Sequence, residues 1–481
     1  MSNRDYRSDR NYNHPYSRNS RDRNNSRKKR VSPSPEWSKP RHNLNFVEAQ
    51  QKIEELKQKI KSEFIVENQQ IDIPKDKLST LIGPEENELL TKALSELISS
   101  ENLEFPHKKY WLKNIDEKFD NLTKYKCDIK YSEEPYEIPV LKSLTDKMKP
   151  YLYEGKYTTL PSEISEYDDM NILSDFFQEP ARVRSMAGFS NQTVLSHWRD
   201  QKKNILWLKN LVEKRGDINC YSLREELYAL TKGMEPSTFK ATVAKTTIEM
   251  LNGKRVLDFC AGWGDRLLGA LACQSFLDLY IGVDPNSDLF EGYNAMIERF
   301  APEKKNNYKM ICEPFEEADL GDQKFNLIFT GPPYFDYELY GTSKKQSVEK
   351  FPDLISWTVD FLFFCVKKAW NLLEDGGKLA ININDVRSLV AKGKFYTEAL
   401  HLMIISQLPK ARYDGVVCFT GAQYALPRPI WIYTKDPTIS FPSAASQECD
   451  KELVKYYSHY HKKVKENARM EKFQASSTAD N

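Results

Sequence analysis

Nowhere in the 481 residues do two cysteines stand as Cys-x-x-Cys, and no histidines cluster beside them. The eight cysteines (Cys127, Cys220, Cys260, Cys273, Cys312, Cys365, Cys418 and Cys449) are scattered. That pattern argues against a zinc site and a disulfide scaffold, and it fits a reducing compartment. No secretory signal core stands at the N-terminus. The most apolar run, 355–366, is too short and too close to charges to span a bilayer. These absences predict an intracellular protein, cytoplasmic or nuclear, with no membrane partner and no metal. A disorder-like bias is missing as well. With 40% hydrophobic and 29% charged residues, the chain has material for two to three domains.

A formal net charge of +1 hides an asymmetry. Residues 1–42 carry 12 Lys and Arg against 4 Asp and Glu, and the rest of the chain carries 58 against 65. A basic arm on a mildly acidic body assigns nonspecific polyanion contact to the arm. Residues 1–43, rich in Arg, Ser and Asn, hold too few apolar side chains to offset the entropy of ordering, and are expected to be disordered. Within them Arg27-Lys28-Lys29-Arg30 fits a phosphate contact or a nuclear address, and equally a solubilising tail.

Over 44–64 the residues Ala49, Ile53, Leu56, Ile60 and Phe64 recur at helical spacing. This amphipathic helix either docks on the protein's own body or meets a protein partner in a short coiled coil. A mostly helical accessory region is expected over 65–230, with a helix start at Gly83-Pro84-Glu85-Glu86. Further helices are expected around 111–122, 172–177, 192–214 and 223–230. Lys108-Lys109-Tyr110-Trp111 interleaves lysines and aromatics like a single-strand stacking platform, although a packed core with a solvated lysine face has the same pattern. In the segment 437–481 a charged amphipathic helix over 451–473 is a second docking candidate.

Between 231 and 436 strands and helices alternate. Strands are expected at 254–259, 279–283, 308–312, 325–330, 378–383, 416–420 and 429–434, with helices at 265–272, 288–300, 353–373 and 396–408. Short connections in this order imply a parallel sheet covered on both faces. Ligands of such sheets bind beyond the carboxyl ends of the strands, at the switch point. The first strand ends in Asp258-Phe259-Cys260-Ala261-Gly262-Trp263-Gly264-Asp265-Arg266-Leu267. Gly262 and Gly264 remove side chains where a ligand lies against backbone, and Asp258 can accept from a cationic ammonium. Asp284, in Ile281-Gly282-Val283-Asp284-Pro285, ends the second strand about 20 residues on, where a carboxylate accepts both hydroxyls of a ribose. A dinucleotide site shares these features, but it wants a third glycine where this chain has Leu267.

The fourth strand ends in Thr330-Gly331-Pro332-Pro333-Tyr334. An exocyclic amine is a poor nucleophile, because its lone pair is delocalised into the ring. Methylating it requires acceptors for its N–H groups, and carbonyls fixed by consecutive prolines supply them. The tyrosine stacks on a base that has left its helix, and in-line placement against a methylsulfonium supplies much of the rate. With this motif counted, S-adenosyl-L-methionine is the expected cofactor rather than NAD.

The segment 231–436 resembles a class I S-adenosylmethionine-dependent amino-methyltransferase of the (Asp/Asn/Ser)-Pro-Pro-(Tyr/Phe/Trp) type. More narrowly, Asp258-x-x-Ala261-Gly262-Trp263-Gly264-Asp265-Arg266-Leu267 with Pro332-Pro333-Tyr334-Phe335-Asp336-x-Glu338-x-Tyr340 is similar to adenine-N6/cytosine-N4 DNA methyltransferases of phages and large DNA viruses. The closing strand Arg428-Pro429-Ile430-Trp431-Ile432-Tyr433-Thr434-Lys435 resembles their last strand. The resemblance implies a Rossmann-like, seven-stranded α/β domain behind the helical region, and a virus-encoded origin. It implies methyl transfer to an amino group of a nucleic-acid base, DNA in preference to RNA. It places Asp258, Ala261, Gly262 and Gly264 at the methionine end of the cofactor, Asp284, Pro285 and Asn286 at the ribose, and Pro314 and Phe315 at the adenine. Phe239 and Lys240 close over the cofactor, and Thr330 to Tyr334 form the catalytic loop.

One position departs from that pattern. The family's first catalytic position usually carries a polar side chain that accepts from the amine, and here it is Gly331. Losing one such bond costs on the order of 2–4 kcal/mol in the barrier. Thr330, Asn382, Asn384 and Asp385 are candidates to replace it. Otherwise the chain is a catalytically weak subunit that binds nucleic acid or a protein partner. A protein-glutamine methyltransferase uses a similar Pro-Pro-Tyr loop, so it also stays open. Carbon-5 methylation of cytosine is disfavoured, because no Pro-Cys dipeptide is present. Only 66 positions separate Gly264 from Thr330 and 46 residues follow Lys435, which leaves target recognition to the region before 231, with 334–350. Arg182, Arg184, His197 and Arg199 are its candidate phosphate contacts.

Overall fold

The computed structural model describes residues 46–66, 69–100, 103–127, 129–132, 156–160, 170–187, 192–231, 234–340, 344–386, 389, 395–419 and 428–479. The basic arm 1–43 lies outside them. Residues 50–481 pack as one unit, distinct from 1–49, and the sheet, the apolar cores and the cavity described below all lie in it.

The central sheet is built from β1 (Lys130–Ser132), β2 (Lys156–Leu160), β3 (Arg255–Asp258), β4 (Leu279–Val283), β5 (Tyr308–Ile311), β6 (Phe325–Thr330), β7 (Leu373–Asn382), β8 (Ala411–Phe419) and β9 (Arg428–Lys435). Their order across the sheet is β1-β2-β8-β9-β7-β6-β3-β4-β5. β3 pairs in parallel with β4 on one side and β6 on the other. The chain runs outward from β3 to β5 and then returns to β6, so the switch point lies between β3 and β6. β9 runs antiparallel to both β7 and β8.

Among the described residues the sheet has nine strands against the seven expected, and seven of the nine lie between 231 and 436. β2 pairs in parallel with β8, joining Lys156–Leu160 to Gly415–Phe419, and β1 pairs with β2. Both extra strands come from the region expected to be mostly helical. Their sequences, Lys-Tyr-Ser and Lys-Tyr-Thr-Thr-Leu, hold β-favouring Tyr and Thr but no apolar alternation, and so give little signal.

Strand residues sort by alternation into two cores. Leu257, Ile328, Leu379 and Ile381 enter one core with Trp357, Leu362, Leu402 and Leu453. Val256, Leu327, Phe329 and Ala380 enter the other, with residues of the helices Ala241–Met250, Asp265–Ala272 and Phe290–Phe300. A period of two sends neighbouring side chains to opposite faces. Two expected helices are changed. The one over 353–373 contains a π-helical stretch at Trp357–Phe363 and ends at Leu372, with β7 starting at Leu373. The C-terminal one is two helices, Ala444–Tyr456 and Ser458–Ala479, broken at Tyr457 (φ −130°, ψ 42°).

Position 231 is not a break in packing. Ile115, Phe119, Leu122, Ile172 and Leu173 belong to the same core as Leu268 and Tyr293. A third core joins Ile60 and Phe64, from the segment 44–64, to Leu94, Trp198, Trp207 and Leu223 of the accessory region. Between these cores runs a buried ionic cluster. Arg224 Nη2 lies 2.6 Å from Glu179 Oε1, Arg182 Nη1 lies 2.8 Å from Glu235 Oε1, and Arg182 and Lys108 both bind Asp175. Arg182 is therefore unavailable to a phosphate, and Lys108 is spent in the protein interior rather than on a stacking platform. Among the described residues no helix is long and apolar enough to cross a membrane.

Gly269 marks a close helix approach. A Cβ there would lie 2.6 Å from Ala244 Cβ and 2.7 Å from the backbone nitrogen of Lys245. Gly269→Ala is expected to lower unfolding free energy by about 1–3 kcal/mol in denaturant titration. An unchanged midpoint would refute this contact.

Candidate functional site

At the carboxyl ends of β3, β4 and β6 one cavity gathers most of the residues singled out from the sequence. It is lined by Phe239, Ala261, Gly262, Asp284, Pro285, Asn286, Pro314, Phe315 and the loop Gly331, Pro332, Pro333 and Tyr334. Lys240, Asp258, Gly264 and Thr330 do not line it.

The wall nearest β3 and β4 is fixed by backbone. Ala261 donates its N–H to Val283 O (3.0 Å), tying the turn to β4. Gly262 has φ +57°, and a Cβ placed there would meet nothing closer than 3.9 Å, so the space above it is open to a ligand. Asp284 accepts from Gly262 N at 2.9 Å and from Asn286 N at 3.0 Å. Each carboxylate oxygen keeps a further lone pair for a hydroxyl. Burial pushes the Asp284 carboxyl up to about 6, against the pull of those two N–H donors, and the Asp258 charge adds to the rise. Phe315 stacks on Phe259 with centroids 5.0 Å apart, and Lys368 Nζ fastens its loop by donating to Phe315 O at 2.7 Å and Ala318 O at 2.6 Å. An acidic acceptor, an open glycine turn and an aromatic slot suit a nucleoside with an amino-acid extension.

Asp258 requires correction. Its side chain is fully buried and serves the protein itself: Oδ2 accepts from Arg266 Nε at 2.7 Å and from Tyr280 OH at 3.0 Å, and Oδ1 accepts from Cys260 N at 3.3 Å. Arg266 Nη2 also donates to Cys260 O. Burial opposes the guanidinium charge, but the Asp258 carboxylate outweighs it and raises Arg266 above its ordinary value.

Gly264 is needed for a different reason from the expected one. It has φ +85° at the start of the helix Asp265–Ala272, and a Cβ there would come within 3.0 Å of Met296 Sδ. Lys240 precedes the helix Ala241–Met250 as its N-cap residue. Thr330 is wholly buried in β6 beside Ile381, which leaves it unable to meet a target amine.

The other wall carries the proline loop. Tyr334 OH donates to Asn382 Oδ1 at 3.3 Å, and Asn382 Nδ2 donates to Pro429 O at 2.8 Å, so the tyrosine is aimed by the ends of β7 and β9. The loop then turns through Phe335 at φ +50°, with Phe335 buried edge-on to Trp357 at 5.6 Å. Asn382 lines the cavity, whereas Asn384 and Asp385 do not. Asp385 caps the helix Thr397–Gln407 by accepting from Tyr396 N at 2.9 Å and Thr397 N at 3.1 Å.

Sequence reasoning missed Asp265, Arg266, Glu338 and Arg428 as lining residues. Asp265 accepts from Ser174 Oγ at 2.6 Å, which links the accessory region to the glycine turn, and burial pushes its carboxyl up to about 7. Burial also raises Glu338, against its bond with Tyr340. The signal for Arg266 was the glycine at 331. A Cβ at that position would stand 2.9 Å from Arg266 Nη1 and 3.7 Å from Asn382 O, so the guanidinium occupies the space a side chain would need.

No protein-family profile and no curated protein matches the chain. Solved structures similar in part include the CcbJ methyltransferase from Streptomyces caelestis (14% identity, 36% of this chain and 53% of that one, TM-score 0.22). An rRNA methylase from Streptococcus thermophilus is 13% identical over 42% of this chain and 99% of that one, with a TM-score of 0.28. The N-methyltransferase NodS from Bradyrhizobium japonicum WM9, in complex with S-adenosyl-l-homocysteine, is 10% identical over 40% of this chain and 85% of that one, also at 0.28. The match thus spans about half of the first of these proteins. Likenesses this remote add nothing to what strand order and site geometry already establish.

Removing one partner of the Asp258–Arg266 pair leaves a buried charge exposed to a low dielectric. Asp258→Ala is expected to cost about 3–5 kcal/mol of unfolding free energy, and Asp258→Ala with Arg266→Met to recover most of it. Additive losses in denaturant titration would show that the two groups do not act as a pair.

Proposed function

We propose that the protein is an S-adenosyl-L-methionine-dependent methyltransferase acting on an exocyclic amino group of a nucleic-acid base, adenine N6 or cytosine N4, with DNA preferred to RNA. The observation that carries this reading is the single cavity in which Asp284 and Gly262 face the Pro332-Pro333-Tyr334 loop. When bound, the cofactor supplies an electrophilic methyl group. The chain does the rest by position. Ionised Asp284 receives the ribose hydroxyls, Phe315 and Pro314 flank the adenine, and the glycine turn leaves room for the amino-acid tail. Backbone carbonyls of Gly331 and Pro332 accept from the target N–H groups, raising the nucleophilicity of the nitrogen. Tyr334, held by Asn382, stacks on the base. The basic arm and the accessory region supply the polyanion contact.

Three results test this. Labelled cofactor should transfer methyl to pooled DNA, and Pro332→Ala and Asp284→Ala should each abolish transfer; label found in protein instead would redirect the substrate class. Because the Asp284 carboxyl is raised to about 6, its charged form is present above that value and lost as pH falls through it. Cofactor affinity measured by calorimetry should therefore be level above about pH 7 and weaken about tenfold per unit below the Asp284 value. Asp284→Asn should bind weakly and without that inflection; an inflection that persists in the variant would assign it to another group.

A further inference from the structure

Resting on the cofactor reading above, the geometry points to Arg266 as the anchor of the cofactor's methionine carboxylate, with Gly331 as the residue that makes room for it. The two acceptors at the end of β3 that would suit a ligand's ammonium, Asp258 Oδ2 and Cys260 O, are both taken by this guanidinium. Its hydrogen bonds engage Nε and Nη2 and leave Nη1 without a partner among the described residues, and Arg266 lines the cavity. The side chain is 7% exposed and pinned at two nitrogens, so the remaining donor is held in place rather than solvated.

The amino-acid tail of the cofactor carries an ammonium and a carboxylate, next to a sulfonium. A guanidinium repels the two cations and attracts the carboxylate, to which it offers N–H donors of fixed direction. The polarity of this wall is thereby reversed from the expected one: a donor to the carboxylate, in place of an acceptor for the ammonium. An ammonium would find Asp265, whose Oδ1 alone is bonded to Ser174, on the same lining.

Gly331 enters by exclusion. Any Cβ would press on Nη1 at 2.9 Å, and the guanidinium cannot yield without loosening its bonds to Asp258 and Cys260. The residue type that departs from the family pattern is the one this arginine requires.

Calorimetric titration of the full chain with S-adenosylhomocysteine, its decarboxylated analogue and adenosine isolates the carboxylate, since none of the three carries a sulfonium. The wild type is expected to bind the decarboxylated analogue at least about tenfold more weakly than S-adenosylhomocysteine. Arg266→Lys and Gly331→Ala should shrink that gap to less than about threefold, while adenosine binds all three proteins alike. Thermal unfolding confirms that each variant is folded, and the wild-type comparison stands even if one is not. Equal affinity of the wild type for the two ligands overturns the inference, and so does a gap that survives both substitutions. A gap erased by Arg428→Ala alone transfers the carboxylate to that arginine and overturns it too. If the wild type binds neither S-adenosylhomocysteine nor adenosine, the cofactor reading itself fails, and the inference with it.

Discussion

A carboxylate and a guanidinium sharing a dry space at the end of the first core strand govern much of what surrounds them. Asp258 is wholly buried, and Arg266, eight residues on, is the cation the chain places against it. The pair forces the turn between them to fold back on itself, with Cys260 contributing its carbonyl to one side and its N–H to the other. Tyr280 from the neighbouring strand completes the acid's shell. Desolvating two charges offsets much of their mutual attraction, so a buried pair of this kind is better understood as a device for fixing geometry than as a source of stability. What it fixes is the floor between the glycine turn and the proline loop.

The parts of this arrangement that were legible in the sequence are those governed by local pattern. β4, β6 and the helix Asp265–Ala272 fell where alternation, apolar runs and turn residues placed them, because strands buried on both faces read as apolar runs bounded by punctuation. The glycine turn, Asp284 and the proline loop were likewise recognisable as neighbours before any contact was known. Arg266 was not. An arginine in the first turn of a helix is ordinarily solvated, and nothing in its flanking residues announces a bond to the carboxylate eight residues earlier. Gly264 reads in the sequence as a ligand glycine, whereas in the structure its missing Cβ makes room for Met296, since a glycine required by packing and one required by binding look alike in a sequence. The two outer strands escaped notice because polar edge strands carry no alternation.

Around the site the accessory region behaves less as an appendage than as a wall of the same body. Ser174 reaches the helix start at Asp265, Gln178 Nε2 donates to Leu289 O at 2.9 Å, and Asn171 Oδ1 accepts from both Thr242 N and Thr242 Oγ1. All three contacts are buried polar bonds, which are costly to leave unmade and so define one relative placement. The charge cluster of Asp175, Glu179, Arg182 and Arg224 ties the helix Leu173–Arg182 to the helix Cys220–Thr231. Loops at the cavity thereby inherit their positions from residues some 90 to 110 places earlier in the chain.

The parallel pairing of 156–160 with 415–419 imposes an order on the protein's own synthesis. A ribosome releases the inner strand's partner only after more than half of the polypeptide has already emerged. Until then one edge of β2 has no native neighbour, with only the short β1 on its other side. Closing a loop of this length is entropically uphill and gives no reward before the last strands arrive, so the sheet's outer corner is formed late.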